Sequence, residues 1–255
     1  MPISLSDVEF ADFHQIATSL YEASLVPRKP VMYLACRDLN NRDASIAETQ
    51  EFCEKHMWGS PSENWVKVVD TDDSQPNKIV GGAMYELHET NPFENEDGKR
   101  PIAWHYPDGA ERELVTQLIE SGAIPRRQKM ARPHIFVQTA WTHPAHRRRG
   151  VAALFMQRIV AEADSRGLYC WLTATPVAIP LYEKYGFRVV TFGERRASLW
   201  EDEQGKDREG RVVDEEYRAQ WKAAEERILP IALVPMWRPK EGVYIPGVTK
   251  KPWEE

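Results

Sequence analysis

The stretch from His134 to Phe192 constrains this chain most. It runs from β-rich residues over 135–142 to a helix over 151–166, β-rich residues over 169–174, a short helix over 177–185 and a last β-rich run over 187–192. A β-α-β-α-β order of this kind makes the fold α/β (α+β). Its long helix carries Val151, Leu154, Phe155 and Ile159 on one stripe, widened by Ala152, Met156, Val160 and Ala163, so much of its circumference suits burial against a sheet. Arg166-Gly167 ends it, the glycine supplying a left-handed terminus.

Around that run the pattern is looser. A strand over 3–5 leads into Ser6-Asp7-Val8-Glu9, which has the form of a capping box for a helix reaching about residue 20. A helix is predicted over 44–56, a turn at 59–62, and a hairpin of strands 65–69 and 78–86 around a loop at 70–77. Residues 88–133, rich in Pro, Gly and charge with one helix at 111–120, read as an insertion that is either a substrate-side lid or a loosely ordered surface loop. Residues 193–227 read as a charged, solvated linker followed by a helix, and 228–238 as a C-terminal strand that completes the sheet or crosses to a second copy. One domain over 1–255, as monomer or homodimer, is the expectation.

Composition narrows the function. The chain is 42% hydrophobic and 28% charged, a globular profile, and no run approaches the roughly 20 apolar residues a bilayer needs. Residues 1–7 show neither a basic nor an apolar signal region, so the expected location is cytoplasmic, with the nucleus open and no membrane partner. Cys36, Cys53 and Cys170 form no C-x-x-C pair. His143 and His146 have no carboxylate or cysteine beside them in sequence, so no metal is expected. Nine Arg or Lys against two acids fall within 126–166 of a chain whose net charge is -6. That focus suits a small phosphate-bearing ligand better than nucleic acid, which a whole basic face would favour.

The focus centres on Arg147-Arg148-Arg149-Gly150-Val151-Ala152. Gly150 lets the backbone turn into a helix whose first N–H groups lack intrahelical partners, and those donors with three guanidinium groups suit a pyrophosphate. The loop lacks the Walker lysine and the spaced glycines of a dinucleotide fold. Arg147-x-x-Gly150-x-Ala152 resembles the Q/R-x-x-G-x-G/A loop of the GCN5-related N-acetyltransferases (GNAT). Thr142-x-Pro144 precedes it as that family's V-x-P does, and Leu181-Tyr182-Glu183-Lys184-Tyr185-Gly186-Phe187 is similar to its L-Y-E-K-x-G-F. The resemblance covers about 134–192. Where the family often has an asparagine, this chain has Thr175 before Pro176, so an amide contact to the cofactor is replaced or absent.

The resemblance implies a mixed, mostly antiparallel sheet flanked by helices and splayed at an acetyl-CoA site. It implies cofactor contacts along Ala140, Trp141 and Thr142, at Arg147, Arg148, Arg149, Gly150, Val151 and Ala152, and near Thr175 and Tyr182. The Ala140 N–H would polarise the thioester carbonyl, and the Tyr182 phenol would protonate the departing thiolate; its other role is a core aromatic. Glu86 is the first candidate for the general base, with His134 and Gln138 behind it. Cys170 is read as a buried, inert thiol rather than an acyl carrier.

Trp104, His105 and Tyr106 form a substrate wall or anchor the insertion. Acids at Glu86, Glu89, Glu94, Glu96 and Asp97 favour a cationic acceptor. The implied function is transfer of an acetyl group from acetyl-CoA to a primary amine of a small molecule. A protein lysine or N-terminal acetyltransferase and a non-catalytic acyl-CoA-binding module are the alternatives.

Overall fold

Among the described residues nine strands, several of them continuous buried runs, form two sheets. In chain order the strands are β1 (Ile3–Asp7), β2 (Glu63–Asp70), β3 (Lys78–His88), β4 (His134–Thr142), β5 (Tyr169–Ala174), β6 (Arg188–Val189), β7 (Glu194–Arg195), β8 (Ile231–Ala232) and β9 (Val234–Arg238). The main sheet has the order β1-β2-β3-β4-β5-β9-β6, and β7 pairs with β8 apart from it. Only β4 and β5 are parallel; every other neighbouring pair is antiparallel. The computed structural model describes residues 3–28, 30–56, 58–71, 77–94, 100–191, 194–195 and 197–254. The tip of the hairpin loop at 72–76, the acids Glu96 and Asp97, and Phe192 lie outside the described residues.

Helices cover both faces. They are α1 (Phe13–Leu25), α2 (Arg42–His56), α3 (Ala110–Lys129), α4 (Val151–Arg166), α5 (Ile179–Glu183) and α6 (Glu215–Ile228). On one face α4 lays Val151, Phe155 and Ile159 against Val80, Ala83 and Val137 of the sheet. On the other, Phe13, Ile16 and Leu20 of α1 pack on Trp65, Met84 and Trp141. No helix among the described residues is long and apolar enough to cross a membrane.

Several elements differ from their sequence patterns for reasons in the packing. β1 runs on to Asp7, because Ser6 and Asp7 pair with Lys67 and Val66. The capping residues are therefore Glu9 and Asp12, and α1 begins only at Phe13. Over its described residues the insertion is packed rather than loose. α3 runs through Gly122 and Pro125 to Lys129, and its apolar side forms a second core with Tyr33, Tyr106, Tyr217 and Trp221.

The charged linker is likewise partly packed. Arg211 donates to Asp207 at 2.5 Å and Tyr217 donates to the same carboxylate at 2.7 Å, while Arg100 holds Glu113 through two bonds of 2.7 and 2.8 Å. Paired in this way, the charges tolerate burial. The C-terminal strand stays within the chain: Ile228 closes α6, and β9 inserts between β5 and β6.

Two bulges shape the centre of the sheet. The β3–β4 register shifts between Met84 and Tyr85, which leaves Gln138 of β4 without an opposite residue, and the β2–β3 register shifts at Val80. Beside the second bulge sits Gly81-Gly82. A Cβ at Gly82 would lie 2.4 Å from the Val66 carbonyl oxygen and 2.6 Å from the Trp141 ring, and one at Gly81 would lie 2.5 Å from Val151 Cγ1. The bare backbone lets α4 and Trp141 close on β3 from opposite faces. Gly82→Val is expected to cost about 2 kcal/mol or more. The readout is a fall in the urea midpoint at unchanged slope, and an unmoved midpoint would refute the close approach.

Candidate active site

The parallel ladder between β4 and β5 holds from His134↔Tyr169 to Val137↔Leu172 and then stops, although β4 continues to Thr142 and β5 to Ala174. The strands part at the bulge. What faces the gap follows from hydrogen-bond alternation. His143 N–H donates to the Val80 carbonyl at 2.8 Å. Counting back by twos makes Trp141 opposite Gly82 and Thr139 opposite Met84 hydrogen-bonded pairs, and turns the peptide groups of Ala140 and Thr142 away from β3. These amides have the gap before them.

At the mouth of the gap the chain enters α4. Gly150, its N-cap, has φ +87° and no side-chain cap, and Arg148 has φ +62°. A Cβ at Gly150 would meet nothing, so the glycine serves the left-handed backbone rather than a close contact. Among the described residues the N–H groups of Arg148, Arg149, Gly150, Val151 and Ala152 meet no acceptor. Five adjacent free donors at the positive end of a helix form a site for an anion.

The three arginines separate in role. Arg147 donates to the Ala23 carbonyl at 3.1 Å, Arg149 lies 3.6 Å from Asp70, and exposed Arg148 has no protein partner among the described residues. Only Arg148 is free to swing onto a ligand. Val151 is buried against Gly81, and Ala152 is half-buried one residue further along α4. Thr175 caps a short turn at the end of β5 with no side-chain cap bond. Trp141 shares the register but its ring is buried on the α1 face, donating to Ser19 at 3.0 Å, and its amide pairs with β3.

Tyr182 lies in α5 within the same cluster as Ala140 and Leu172, edge-on to Phe187 at 5.9 Å. It is 8% exposed, and its hydroxyl has no partner among the described residues. Burial pushes the phenol up to about 12, so it carries its proton at neutral pH. The group is thus a hydrogen-bond donor to whatever enters the gap. Full proton transfer to a thiolate of pKa near 8.5 is uphill from there, so the donated bond rather than complete transfer is its share.

The candidate bases fare differently. Glu86 pairs with Phe136 in register, four residues from Ala140 or about 13 Å along the strand. It is engaged by His88 at 2.8 Å with Arg126 at 3.7 Å. His134 is fully buried at the far end of β4, its Nδ1 2.7 Å from the Arg132 carbonyl, and burial pushes it down to about 3. Gln138, exposed at the bulge, is the one candidate at the gap, but a carboxamide takes no proton and can only orient an amine or a water.

Cys170 is buried with its thiol pushed up to about 12 by burial, and is inert. Tyr106 donates to the Tyr33 carbonyl at 2.7 Å, and Trp104 stacks on Phe52 at 5.7 Å, so these aromatics anchor the insertion. Sequence reasoning missed the glycine pair in β3 and the carboxylates Glu22 and Asp70. The carboxylates approach His143 and His146 to 3.0 and 2.9 Å. A Gly-Gly pair inside a strand pattern was the available signal for the first. Among the described residues no group of three or more His, Cys, Asp or Glu is arranged to hold a metal.

A parallel strand pair that opens beside an acceptor-free helix start is a geometry suited to a transferase of the acyl-carrier kind. The family model for the Acetyltransferase (GNAT) family matches residues 33–187, more than half of the chain, and the chain belongs to that family of acetyltransferases. A comparison with curated proteins finds no match. Among solved structures the chain is similar to a histone acetyltransferase HPA2 and related acetyltransferase from Corynebacterium glutamicum. That likeness has a TM-score of 0.52 at 18% identity, over 97% of this chain and 100% of that one. It is also similar to the Drosophila melanogaster polyamine N acetyltransferase that forms N acetylagmatine, with a TM-score of 0.55 at 12% identity, over 93% of this chain and 100% of that one. At such identities the likeness concerns the fold.

Tyr182→Phe is expected to lower kcat by roughly 10²-fold with little change in KM for the acyl donor, because the phenol acts only as the leaving group departs. Steady-state kinetics on the folded variant checks it, and unaltered kcat would return Tyr182 to packing.

Proposed function

We propose that this chain transfers the acetyl group of acetyl-CoA to a primary amine, most simply that of a small molecule, by direct attack in a ternary complex. The observation that carries the reading is the row of acceptor-free amides at 148–152 beside the parted strands β4 and β5. The residues fit coenzyme A. The free amides and Arg148 suit its diphosphate, the outward peptide groups of Ala140 and Thr142 suit the amide-bearing arm, and Thr175 borders the mouth. When bound, acetyl-CoA supplies the activated acyl group.

The chain's own residues then act in turn. The Ala140 N–H donates to the thioester oxygen as the attacking nitrogen adds and negative charge collects there. Gln138 orients the amine or a water that removes its proton. As the carbon–sulfur bond breaks, Tyr182 donates a hydrogen bond to the departing sulfur, and solvent restores the proton balance. Much of the rate would come from positioning, with the donors worth a further 10² to 10⁴ by precedent. With Glu86 ion-paired, the reading assigns the base to water rather than a carboxylate.

A cationic acceptor long enough to reach from Ala140 to the level of Phe136 would meet Glu63 there, which faces Glu86 across the strands and has a buried oxygen with no partner among the described residues. The polyamine and agmatine N-acetyltransferases named among similar folds act on amines of that type. The same reading places the enzyme in the cytoplasm or nucleus and uses no metal.

Thiol release from acetyl-CoA with a panel of polyamines, aminoglycosides, amino acids, arylamines and histone peptides tests it. Amine-dependent release with a small cationic amine is expected. Release only with peptides would redirect the reading to a protein substrate, and tight binding without release across the panel would leave an acyl-CoA-binding module.

A further inference from the structure

The helix that carries Tyr182 is five residues long, too short to hold its place without packing around it. Its phenol nevertheless has to stand within hydrogen-bond distance of one departing atom. What fixes α5 is therefore tertiary. On its C-terminal side the chain folds back at once: the N–H groups of Tyr185 and Phe187 both donate to the Tyr182 carbonyl, at 2.9 and 3.2 Å. The Tyr185 carbonyl in turn accepts from Nε of Arg238 at 2.8 Å. One guanidinium thus holds the turn that closes on Tyr182.

Arg238 ends β9 opposite Cys170 of β5, which packs in the cluster under α4, and it is 4% exposed. Its Nη1 and Nη2 donate to both oxygens of Asp164, in the last turn of α4, at 2.7 and 2.9 Å. Three donors of one rigid plane are directed at two separate elements, a fork that an ammonium group cannot reproduce. Bare backbone leaves room for that plane. A Cβ at Gly242 would strike the guanidinium, and one at Gly186, directly after Tyr185, would strike the Gly242 carbonyl. The end of β9, the end of α4 and the turn after α5 meet at one side chain. The acyl-transfer steps use neither Arg238 nor Asp164.

We propose that Arg238, anchored by Asp164, is a positioning residue for Tyr182: it sets where the turn after α5 lies and so where the phenol stands in the gap. The proposal rests on the reading that Tyr182 donates to the departing sulfur. The anchor matters because α4 presents the acceptor-free amides at its other end. Asp164 and those amides belong to one continuous helix of 16 residues, so the fork refers the phenol to the same body that would hold the diphosphate. With the fork loosened the diphosphate still binds, but an offset of the phenol by about 1 Å is enough to cost a large factor in rate. The loss then falls on kcat and spares KM for acetyl-CoA.

A mutant cycle on the full chain tests this. R238K keeps a charge opposite Asp164 but offers one nitrogen to two carboxylate oxygens and a carbonyl. It should lower kcat roughly tenfold with KM for acetyl-CoA little changed. In the Y182F background R238K should cost no more than about twofold, because the group it positions is gone. D164N, at an anchor whose side chain is 39% exposed, should lower kcat in the same way by a smaller factor. Undiminished kcat in folded R238K or D164N overturns the proposal, and so does an equal loss in the wild-type and Y182F backgrounds; either result leaves the role of Tyr182 standing. Wild-type kcat in Y182F removes that role and the proposal with it. If R238K does not fold, D164N carries the same cycle. Nitrogen-15 spectra of the wild type should show the Arg238 Nε–H exchanging slowly at neutral pH, and fast exchange overturns the proposal whether or not any variant folds.

Discussion

The architecture turns on the parting of two parallel strands. β4 has one residue too many for β3, Gln138, and at that residue it stops pairing with β5. Had the ladder continued, the peptide groups of Ala140 and Thr142 would be consumed within the sheet. Because it does not, backbone donors and acceptors that would be costly to bury unpaired stand ready for a ligand. The rest of the molecule keeps that gap from closing. β5 is held by β9 on its other edge, and Arg238 of β9 grips Asp164 of α4 at 2.7 and 2.9 Å.

The anion site depends on the same construction. α4 sits with its first residue on β3 only because Gly81 presents bare backbone there. Its amides therefore open at the mouth of the gap, in line with the outward groups of β4. α1 is tied to the loop by Arg147 on Ala23 and by His143 on Glu22. Helix, strand and loop thus share one set of contacts, and a shift in any of them moves the donors that a diphosphate would use.

Features fixed by neighbours in sequence were legible in the sequence. The stripe of α4, its glycine terminus, the positive-φ glycine at its start and the strand before it all rest on local patterns, and each lies where the pattern puts it. What was not legible depends on partners far along the chain. α3 looked short because Gly122 and Pro125 interrupt it, but packing of Met130 and Arg126 on the sheet carries it through. Residues 193–213 looked solvated because the partners of Arg211 include Asp108 and Glu113, about a hundred positions away.

The site divides along the same line. Arg148, Gly150 and Tyr182 stand out as single residues in a motif. Glu86 seemed a base because its strand was right, but its level along that strand is set by register and bulge, which no composition reveals. Asp70 and Glu22 reach the histidines across most of the fold.

The most direct measurement is a coenzyme A titration of the nitrogen-15-labelled chain, followed at the backbone amides. The amides of Arg148 to Ala152 should shift together with those of Ala140 and Thr142 at one dissociation constant, while the paired amides of Thr139 and Trp141 move least. Shifts confined to other segments, with 148–152 silent at saturation, would contradict both the anion site and the gap.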